Sequence, residues 1–396
     1  MVTNRDLFLR HVGQTSSAPL LLDIESAEGV FLYTRDKKRY VDMVSGVSVS
    51  NLGHRHPAIV EAVRNQASDY MHLMVYGEYI QSPQVQYADW LTNHLPPGLD
   101  QVFFVNSGSE AIEGAMKLAK RVTGRHFIAA FRNAYHGGTQ GALSILGDPT
   151  YHSGFLPLLP GIRHIRYNRE EDLERIDRET AAVFVEPIQA EAGIIEPENG
   201  FLRKLKKRCE ETGTLFVLDE IQTGFGRTGS LFAFEHYDVV PDIVCFAKSF
   251  GGGMPLGAFV SSAEFMKKLT FDPPLGHITT FGGHPVSCAA GLAAQRYMEE
   301  HHLIEHAEAM GNVYRRLMKH PVIDHMRGRG LYQAVVFRPG FPMGTFIRNA
   351  LDCGVVLDQF LFCDHAFRIS PPLIIDESTV AYSAELLLDA IDRTVA

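Results

Sequence analysis

Residues 242–261, DIVCFAKSFGGGMPLGAFVS, place two short apolar runs on either side of a lysine and three glycines. Each apolar run has the length of a strand and lacks a polar face, as in strands that are covered on both sides. Similar runs, separated by helical patterns, occur upstream at 102–106, 126–131, 181–187 and 215–220. This alternation predicts an α/β fold with a mostly parallel sheet covered by helices.

The chain has 396 residues, enough to bury a large core and to form more than one domain. After the upstream strands the pattern becomes more helical, with one further strand at 331–337 and a terminal helix near 378–395. We therefore predict a large domain of residues 51–285. A smaller α+β domain is expected from the two ends of the chain, residues 1–50 and 286–396.

The composition excludes several classes of protein. The formal net charge of −9 argues against non-specific nucleic-acid binding, because that needs a basic surface. Five cysteines are scattered without a CxxC pair, as in cytoplasmic proteins with reduced thiols. The start, MVTNRDLFLRHVGQ, lacks the apolar run of a signal peptide, and no later run is long enough to span a bilayer. We expect a cytoplasmic protein without nucleic-acid or membrane partners.

A candidate anion site follows the strand at 102–106. The next residues, NSGSE, open an amphipathic helix, and Ser107 and Glu110 have the spacing of a capping box. Free amides at a helix N-terminus bind anions, and Gly108 lets a phosphate approach closely. The alternative is an ordinary capped helix without a ligand.

Two strands end in residues that suit a cofactor. Asp219 ends the strand LFVLDE, and an ionised Asp there can hold a pyridine nitrogen protonated. Lys248 ends the strand DIVCFAK, where an unpaired ammonium is costly to bury and a covalent imine removes that cost. The alternatives are a metal ligand or capping acid for Asp219 and a surface lysine for Lys248.

Three further residues are candidates for contacts with substrate or cofactor. Arg368 could bind a carboxylate bidentately, and Glu191 could pair with it when no carboxylate is bound. Tyr135 follows another strand and could stack on an aromatic ring. A structural ion pair and a core tyrosine are the alternatives.

Two motif matches are rejected. Residues 224–229, GFGRTG, fit the GxGxxG dinucleotide pattern, but no helix opens inside them as that pattern requires. His302 and His306 have the spacing of a metal pair on a helix, but no third ligand lies nearby in the sequence.

Taken together, these segments resemble the class III aminotransferases, which are pyridoxal 5′-phosphate (PLP) enzymes of fold type I. The resemblance runs from AEGVFLYTRDKKRYVDMVSGVSVSNLGHRHP to FRISPPL, and its most specific parts are LFVLDEIQTGFGRTG and FAKSFGGGMPLGA. It implies a large seven-stranded-type sheet domain, a smaller domain, PLP as cofactor and a homodimer with active sites at the subunit interface.

The resemblance also implies residue roles. Lys248 corresponds to the lysine that forms the Schiff base with PLP and moves the proton. Asp219 corresponds to the partner of the pyridine nitrogen, and Glu191 with Arg368 to a switch that admits an amine or a dicarboxylate acceptor in turn. Cofactor contacts are implied for Gly108, Ser109, Tyr135, His136, Gln222 and, from the neighbouring subunit, Thr280.

Three positions depart from the family pattern. Many members have an arginine after the aromatic-His-Gly motif, where it binds a substrate carboxylate, but this chain has Gly138. His284 replaces an asparagine and Ala190 replaces a glycine. Gly138 weakens the case for acetylornithine, ornithine or 4-aminobutyrate as donor, and we expect Tyr76 and Glu78 to help to choose the donor.

The sequence therefore predicts a dimeric PLP-dependent aminotransferase. We expect it to move an amino group from a terminal or ω-amine to 2-oxoglutarate or pyruvate. Two alternatives remain open: an aminomutase or racemase on the same scaffold, and a non-catalytic PLP-binding regulatory protein.

Overall fold

The structure is a computed structural model that describes residues 2–75 and 77–396. Fourteen strands occur in these residues: β1 (Ile24–Glu28), β2 (Phe31–Thr34), β3 (Arg39–Asp42), β4 (Gln101–Val105), β5 (Phe127–Phe131), β6 (Ile162–Ile165), β7 (Thr180–Val185), β8 (Leu215–Asp219), β9 (Ile243–Phe246), β10 (Gly257–Ser261), β11 (Ile323–Arg329), β12 (Tyr332–Phe337), β13 (Val355–Val356) and β14 (Ala366–Ile369).

Besides five short 3₁₀ segments, the same two ranges contain twelve α-helices: α1 (Asn4–His11), α2 (Ser45–Ser48), α3 (Pro57–Asp69), α4 (Ser82–His94), α5 (Gly108–Thr123), α6 (Gln140–Ser144), α7 (Phe201–Thr212), α8 (Ala263–Met266), α9 (Pro285–Glu300), α10 (Leu303–Leu317), α11 (Met343–Asp352) and α12 (Glu377–Val395).

The central sheet has seven strands in the order β4-β10-β9-β8-β7-β5-β6. Five neighbours, from β9 to β6, run parallel, whereas β10 is antiparallel to both β9 and β4. Strands β7 to β10 are buried along their whole length, which matches their continuous apolar sequences. The predicted α/β class and mostly parallel sheet are confirmed.

Helices cover the sheet on both faces. Helix α5 packs on β7, β9 and β10 through its alanine-rich side, and Gly114 lies directly against the ring of Phe259. Helices α3 and α4 pack against α9. The first turn of α3 has Pro57 at its start, as its sequence suggests.

The two ends of the chain meet in smaller sheets. Strand β13 pairs parallel with β3, with Val355 opposite Val41, and so joins the β1-β2-β3 meander. Strands β11, β12 and β14 form a separate antiparallel sheet. The predicted domain boundaries stay a prediction.

Within residues 2–75 and 77–396, no helix combines the length and the apolar character that crossing a membrane requires.

Candidate active site

The carboxyl ends of β7, β8 and β9 bring three ionisable side chains to one edge of the central sheet. Glu186 follows β7, Asp219 ends β8, and Lys248 lies two residues past β9. The prediction that the strand continues to Lys248 was wrong: β9 ends at Phe246, and Lys248 starts a short 3₁₀ turn. Its φ of 53° lies in the left-handed region, which is uncommon for a residue with a side chain and costs about 1 kcal/mol or more.

A cavity of about 430 Å³ opens at this edge. It is large enough for a small organic cofactor together with part of a substrate. The predicted site residues that line it are Gly108, Ser109, Tyr135, His136, Glu191, Asp219, Gln222 and Lys248.

One wall of the cavity is the N-terminus of α5. The Ser107 hydroxyl accepts a hydrogen bond from the backbone N–H of Glu110 at 3.2 Å. The predicted capping box is only half formed, because Glu110 Oε2 accepts from the backbone and side-chain amides of Asn106, each at 2.8 Å. A Cβ on Gly108 would lie 2.9 Å from Ile221 Cδ1, so a larger residue there would have to displace the Ile221 side chain.

Asp219 is held by two donors at the other end of the cavity. His136 Nδ1 lies 2.7 Å from Asp219 Oδ2, and the Ile221 N–H donates to Oδ1 at 3.0 Å. Burial alone lowers the pKa of His136, but the hydrogen bond and the charge of Asp219 outweigh it, so that pKa is raised. His136 Nε2 is buried without a hydrogen-bond partner among the described residues. The carboxylate of Asp219 is therefore fixed in orientation.

Lys248 is half-buried and lines the cavity beside Gln222. Burial lowers the pKa of Lys248, which favours the neutral, nucleophilic amine. In the amide orientation that satisfies its neighbours, Gln222 Oε1 accepts from Lys248 Nζ at 3.2 Å and from Arg368 Nη1 at 2.8 Å. Its Nε2 donates to the Tyr332 hydroxyl at 2.7 Å. Gln222 thus connects the amine to the guanidinium.

Arg368 lies behind Glu191 and has no exposed side-chain surface. Its Nη2 donates to Glu191 Oε1 at 2.6 Å, and its Nη1 lies 3.4 Å from Asp358 Oδ2. The second oxygen of Glu191 accepts from the Leu361 N–H at 3.1 Å. Glu191 lines the cavity, whereas Arg368 does not. The carboxylate of Glu191 therefore separates the guanidinium of Arg368 from the cavity.

Glu186 connects two loops of the site, a role that the sequence analysis missed. Its Oε1 accepts from the Tyr135 N–H at 3.1 Å and its Oε2 from the Ala190 N–H at 2.8 Å. Burial raises the pKa of Glu186 to about 7. Its position directly after an apolar strand, like that of Asp219, is the signal that could have found it.

The other predicted residues lie outside this cavity. Thr280 is exposed, and its neighbour Thr279 accepts from Asn106 Nδ2 at 2.8 Å. Glu78 is exposed and lines a separate cavity, whereas Tyr76 lies outside the described residues. Gly138 is exposed, and its N–H donates to the Ser109 hydroxyl at 3.1 Å.

A comparison with protein families now defines the class. The family described as "Aminotransferase class-III" matches residues 12–391, so the chain belongs to the class III aminotransferases. The predicted family, the transaminase activity and the cofactor PLP are thereby confirmed.

Particular relatives are similar along nearly the whole chain. The acetylornithine aminotransferase of Methanopyrus kandleri is 40% identical over 384 residues, covering 96% of each protein. The structure of the ornithine aminotransferase from Toxoplasma gondii has a TM-score of 0.92 at 28% identity and covers 100% of this chain and 95% of that one. An (S)-enantioselective omega-transaminase from Thermomicrobium roseum has a TM-score of 0.88 at 29% identity, covering 98% of each chain.

The residues around the cavity fit PLP. The N-terminus of α5 offers amides and a glycine-lined approach to the phosphate. A buried carboxylate, Asp219, suits the pyridine nitrogen, and an amine of lowered pKa on the cavity wall, Lys248, suits the aldehyde. All three groups line one cavity.

Proposed function

We propose that this aminotransferase moves an amino group from a terminal or ω-amine to a keto acid, 2-oxoglutarate or pyruvate. The observation that carries the proposal is the buried pair of Glu191 and Arg368, whose N···O distance is 2.6 Å. Because the guanidinium is covered by a carboxylate of the same chain, the cavity can accept a neutral substrate end or, once Glu191 moves, an anionic one.

The roles of the residues follow from their surroundings. Bound PLP supplies an aldehyde that captures amines and a pyridine ring that stores electrons when a proton leaves the neighbouring carbon. Lys248 would hold the cofactor through its amine and, when free, would remove that proton and return it at the adjacent carbon. Asp219, oriented by His136, keeps the pyridine nitrogen protonated.

Other residues hold the cofactor in place. We propose that the amides of Gly108 and Ser109 bind the phosphate, and that Gln222 contacts the 3′ oxygen. The ring of Tyr135, which lines the cavity, would stack on the pyridine, and Glu186 fixes the backbone of this tyrosine.

The pair of Glu191 and Arg368 acts as a gate, and movement of Glu191 away from Arg368 separates the two half-reactions. With a carboxylate-free amine, Glu191 stays on Arg368 and the buried charges remain paired. With a keto acid, the substrate carboxylate replaces Glu191 on the guanidinium. The same pocket thereby serves two substrates of different charge.

Apart from Arg368, the site offers little to bind a carboxylate of the amino donor. A Cβ at Gly138 would meet nothing within 4 Å, so the position offers space rather than a cation. Relatives named acetylornithine and ornithine aminotransferases support a donor with a terminal amine, whereas Gly138 argues against those particular donors. We propose that Tyr76 and Glu78 contribute to donor choice.

We further propose a homodimer in which Thr280 contacts the phosphate bound by the partner. In this chain Thr280 is exposed and outside the cavity, which leaves it free for that contact.

The test separates the half-reactions. PLP-loaded enzyme is mixed with single amines and amino acids, and a donor is expected to convert the visible absorbance of the bound cofactor once and then stop until a keto acid is added. Arg368→Lys keeps the buried charge but loses the bidentate grip. Its KM for the keto acid should rise by about tenfold or more, since hydrogen bonds between charged groups contribute about 1.5–3 kcal/mol.

Two outcomes would contradict the proposal. Continuous turnover of a donor without any keto acid would favour the aminomutase or racemase alternative. A Lys248→Ala enzyme that works at the wild-type rate would exclude the mechanism and favour a different role for this lysine.

A further inference from the structure

Arg368 contacts two carboxylates of its own chain. Glu191 Oε1 lies 2.6 Å from Nη2, and Asp358 Oδ2 lies 3.4 Å from Nη1. The guanidinium has no exposed surface, whereas a quarter of the Asp358 side chain is exposed (25%). One buried cation therefore has two acidic partners, and the transamination gate uses only Glu191.

Asp358 begins segment 358–362, which packs along Arg368 and Glu191. The ring of Phe360 lies 4.8 Å from Arg368 Cζ, a cation–π distance. The N–H groups of Leu361 and Phe362 donate to Glu191 at 3.1 and 3.0 Å, to its side chain and its carbonyl respectively. The segment thus contacts both members of the gate.

The position of Asp358 is set by backbone pairing. Its carbonyl accepts from the Arg368 N–H at 3.4 Å, and the next residue, Gln359, forms an antiparallel bridge with Phe367. Neither contact involves the carboxylate. When Glu191 leaves the guanidinium, these contacts are not broken, so Asp358 stays beside Nη1.

We propose that Asp358 is a specificity-determining residue that weakens carboxylate binding at Arg368 and so biases the site towards carboxylate-free amines. Asp358 repels any anion on this guanidinium, but Glu191 bonds Nη2 alone, whereas a bidentate carboxylate that used both Nη atoms would also lie beside Asp358 at Nη1. The repulsion therefore acts more strongly on the substrate carboxylate than on the Glu191 that it replaces. This inference rests on the proposed role of Arg368 as the carboxylate site.

The orientation of Arg368 does not depend on the Asp358 charge. Gln222 Oε1 accepts from the same Nη1 at 2.8 Å, which is shorter than the 3.4 Å to Asp358. The Phe360 ring supports the guanidinium from its face. Removing the negative charge at 358 should therefore relieve repulsion without releasing the arginine.

The test uses Asp358→Asn, which keeps the shape of the side chain. Apoenzyme loaded with pyridoxamine phosphate is mixed with pyruvate or 2-oxoglutarate, so the keto-acid half-reaction is followed without knowing the donor. The variant should show a several-fold lower KM for both keto acids. Calorimetry of PLP-loaded protein should show a several-fold lower Kd for glutarate, which binds but cannot react.

Asp364→Asn is the matched control. Asp364 follows the same segment, is fully exposed, and pairs with His365 at 3.1 Å rather than with Arg368. The Asp364→Asn substitution also removes one negative charge nearby. If it lowers the KM for the keto acids several-fold as well, the change comes from the overall charge of the protein, and the proposal is overturned.

The remaining outcomes separate the two proposals. An unchanged or higher keto-acid KM in Asp358→Asn, with a raised KM in Arg368→Lys, overturns the role of Asp358 and leaves the carboxylate site at Arg368. An unchanged KM in Arg368→Lys overturns the proposed carboxylate site itself, whatever Asp358→Asn does.

Discussion

Glu220, the residue after Asp219, is a fully buried acid that faces away from the cavity lining. Its side chain accepts from the Thr223 hydroxyl and from the Phe234 N–H, the latter at 2.8 Å. These bonds fold the loop that carries Gln222 against the rest of the sheet edge. Burial is the largest influence on this carboxyl and raises the pKa of Glu220 to about 7.

A pH-dependent stability follows from Glu220. Its pKa rises on folding from 4.5 to about 7, so the stability that the protonated carboxyl contributes is fully present below pH 4.5 and is lost as the pH rises through about 7. Glu220→Gln keeps an acceptor for Phe234 and a donor for Thr223 without a charge. Relative to wild type, it should gain up to about 3 kcal/mol between pH 5 and pH 8.

Thermal unfolding at three pH values between 5 and 8 measures this gain as a change in the Tm difference between variant and wild type. Glu211→Gln is the control, because that side chain is half exposed on α7. If the Tm difference between Glu220→Gln and wild type is the same at all three pH values, ionisation of the buried carboxyl does not destabilise the protein as predicted.

At the scale of residues, chemistry was predictable where a polar group interrupts an apolar pattern. Asp219 stands out as the last residue of an apolar strand, and Lys248 stands out two residues after another one. The contact of Asp358 with Arg368 was not predictable, because no periodicity indicates which loop residue faces an arginine on the adjoining strand. The left-handed backbone of Lys248 was also hidden, since the tripeptide Ala-Lys-Ser has no glycine to signal it.

At the scale of secondary-structure elements, helix α5 packs closely on the central sheet. Gly114 faces Phe259 of β10, and a Cβ there would overlap the ring. Because both partners belong to regular elements, the overlap has to be relieved by moving the helix or the ring.

Gly114→Ala should destabilise the protein by about 1–3 kcal/mol despite the better helix propensity of alanine. Gly344→Ala is a matched comparison on α11, where a Cβ meets only the end of the Arg348 side chain at 3.9 Å. That variant should be neutral or more stable by about 0.5 kcal/mol. Differential scanning calorimetry of both proteins tests the contrast, and equal Tm changes would contradict the close packing of α5.

Element types were predictable to the extent that their sequences are strongly patterned. The six upstream and central apolar runs all correspond to strands of the seven-stranded sheet. Strand β6, at the sheet edge, was missed because its sequence, IRHI, has two adjacent polar residues and so shows neither a continuous apolar run nor an alternation. The antiparallel direction of β10 was not predictable either, because a fully buried strand has the same apolar sequence pattern whether it pairs parallel or antiparallel.

At the scale of the whole molecule, a group of apolar side chains remains uncovered in the single chain. Ile80 is 95% exposed, and Ile278 and Phe281 are 47% and 54% exposed on either side of Thr280. Large exposed apolar residues near one another are typical of surfaces that meet another protein. The segment that contains Thr280 therefore suits the subunit contact that we propose for a homodimer.

Subunit mixing tests whether Thr280 acts across that contact. Thr280→Val should weaken PLP binding by about tenfold, the loss of one hydrogen bond to a charged group. Consider a heterodimer of one Thr280→Val chain and one Lys248→Ala chain. If each site takes Thr280 from the neighbouring chain, the site of the Thr280→Val chain is intact, because it has its own Lys248 and the wild-type threonine of the other chain. If Thr280 instead served the site of its own chain, both sites would be defective.

Activity is measured at a PLP concentration that leaves the Thr280→Val homodimer largely empty, after unfolding and refolding the two variants together or mixing them under conditions of subunit exchange. Recovered activity in the mixture, absent from each homodimer, is expected, whereas a mixture no more active than the sum of its components would exclude the crossed contact.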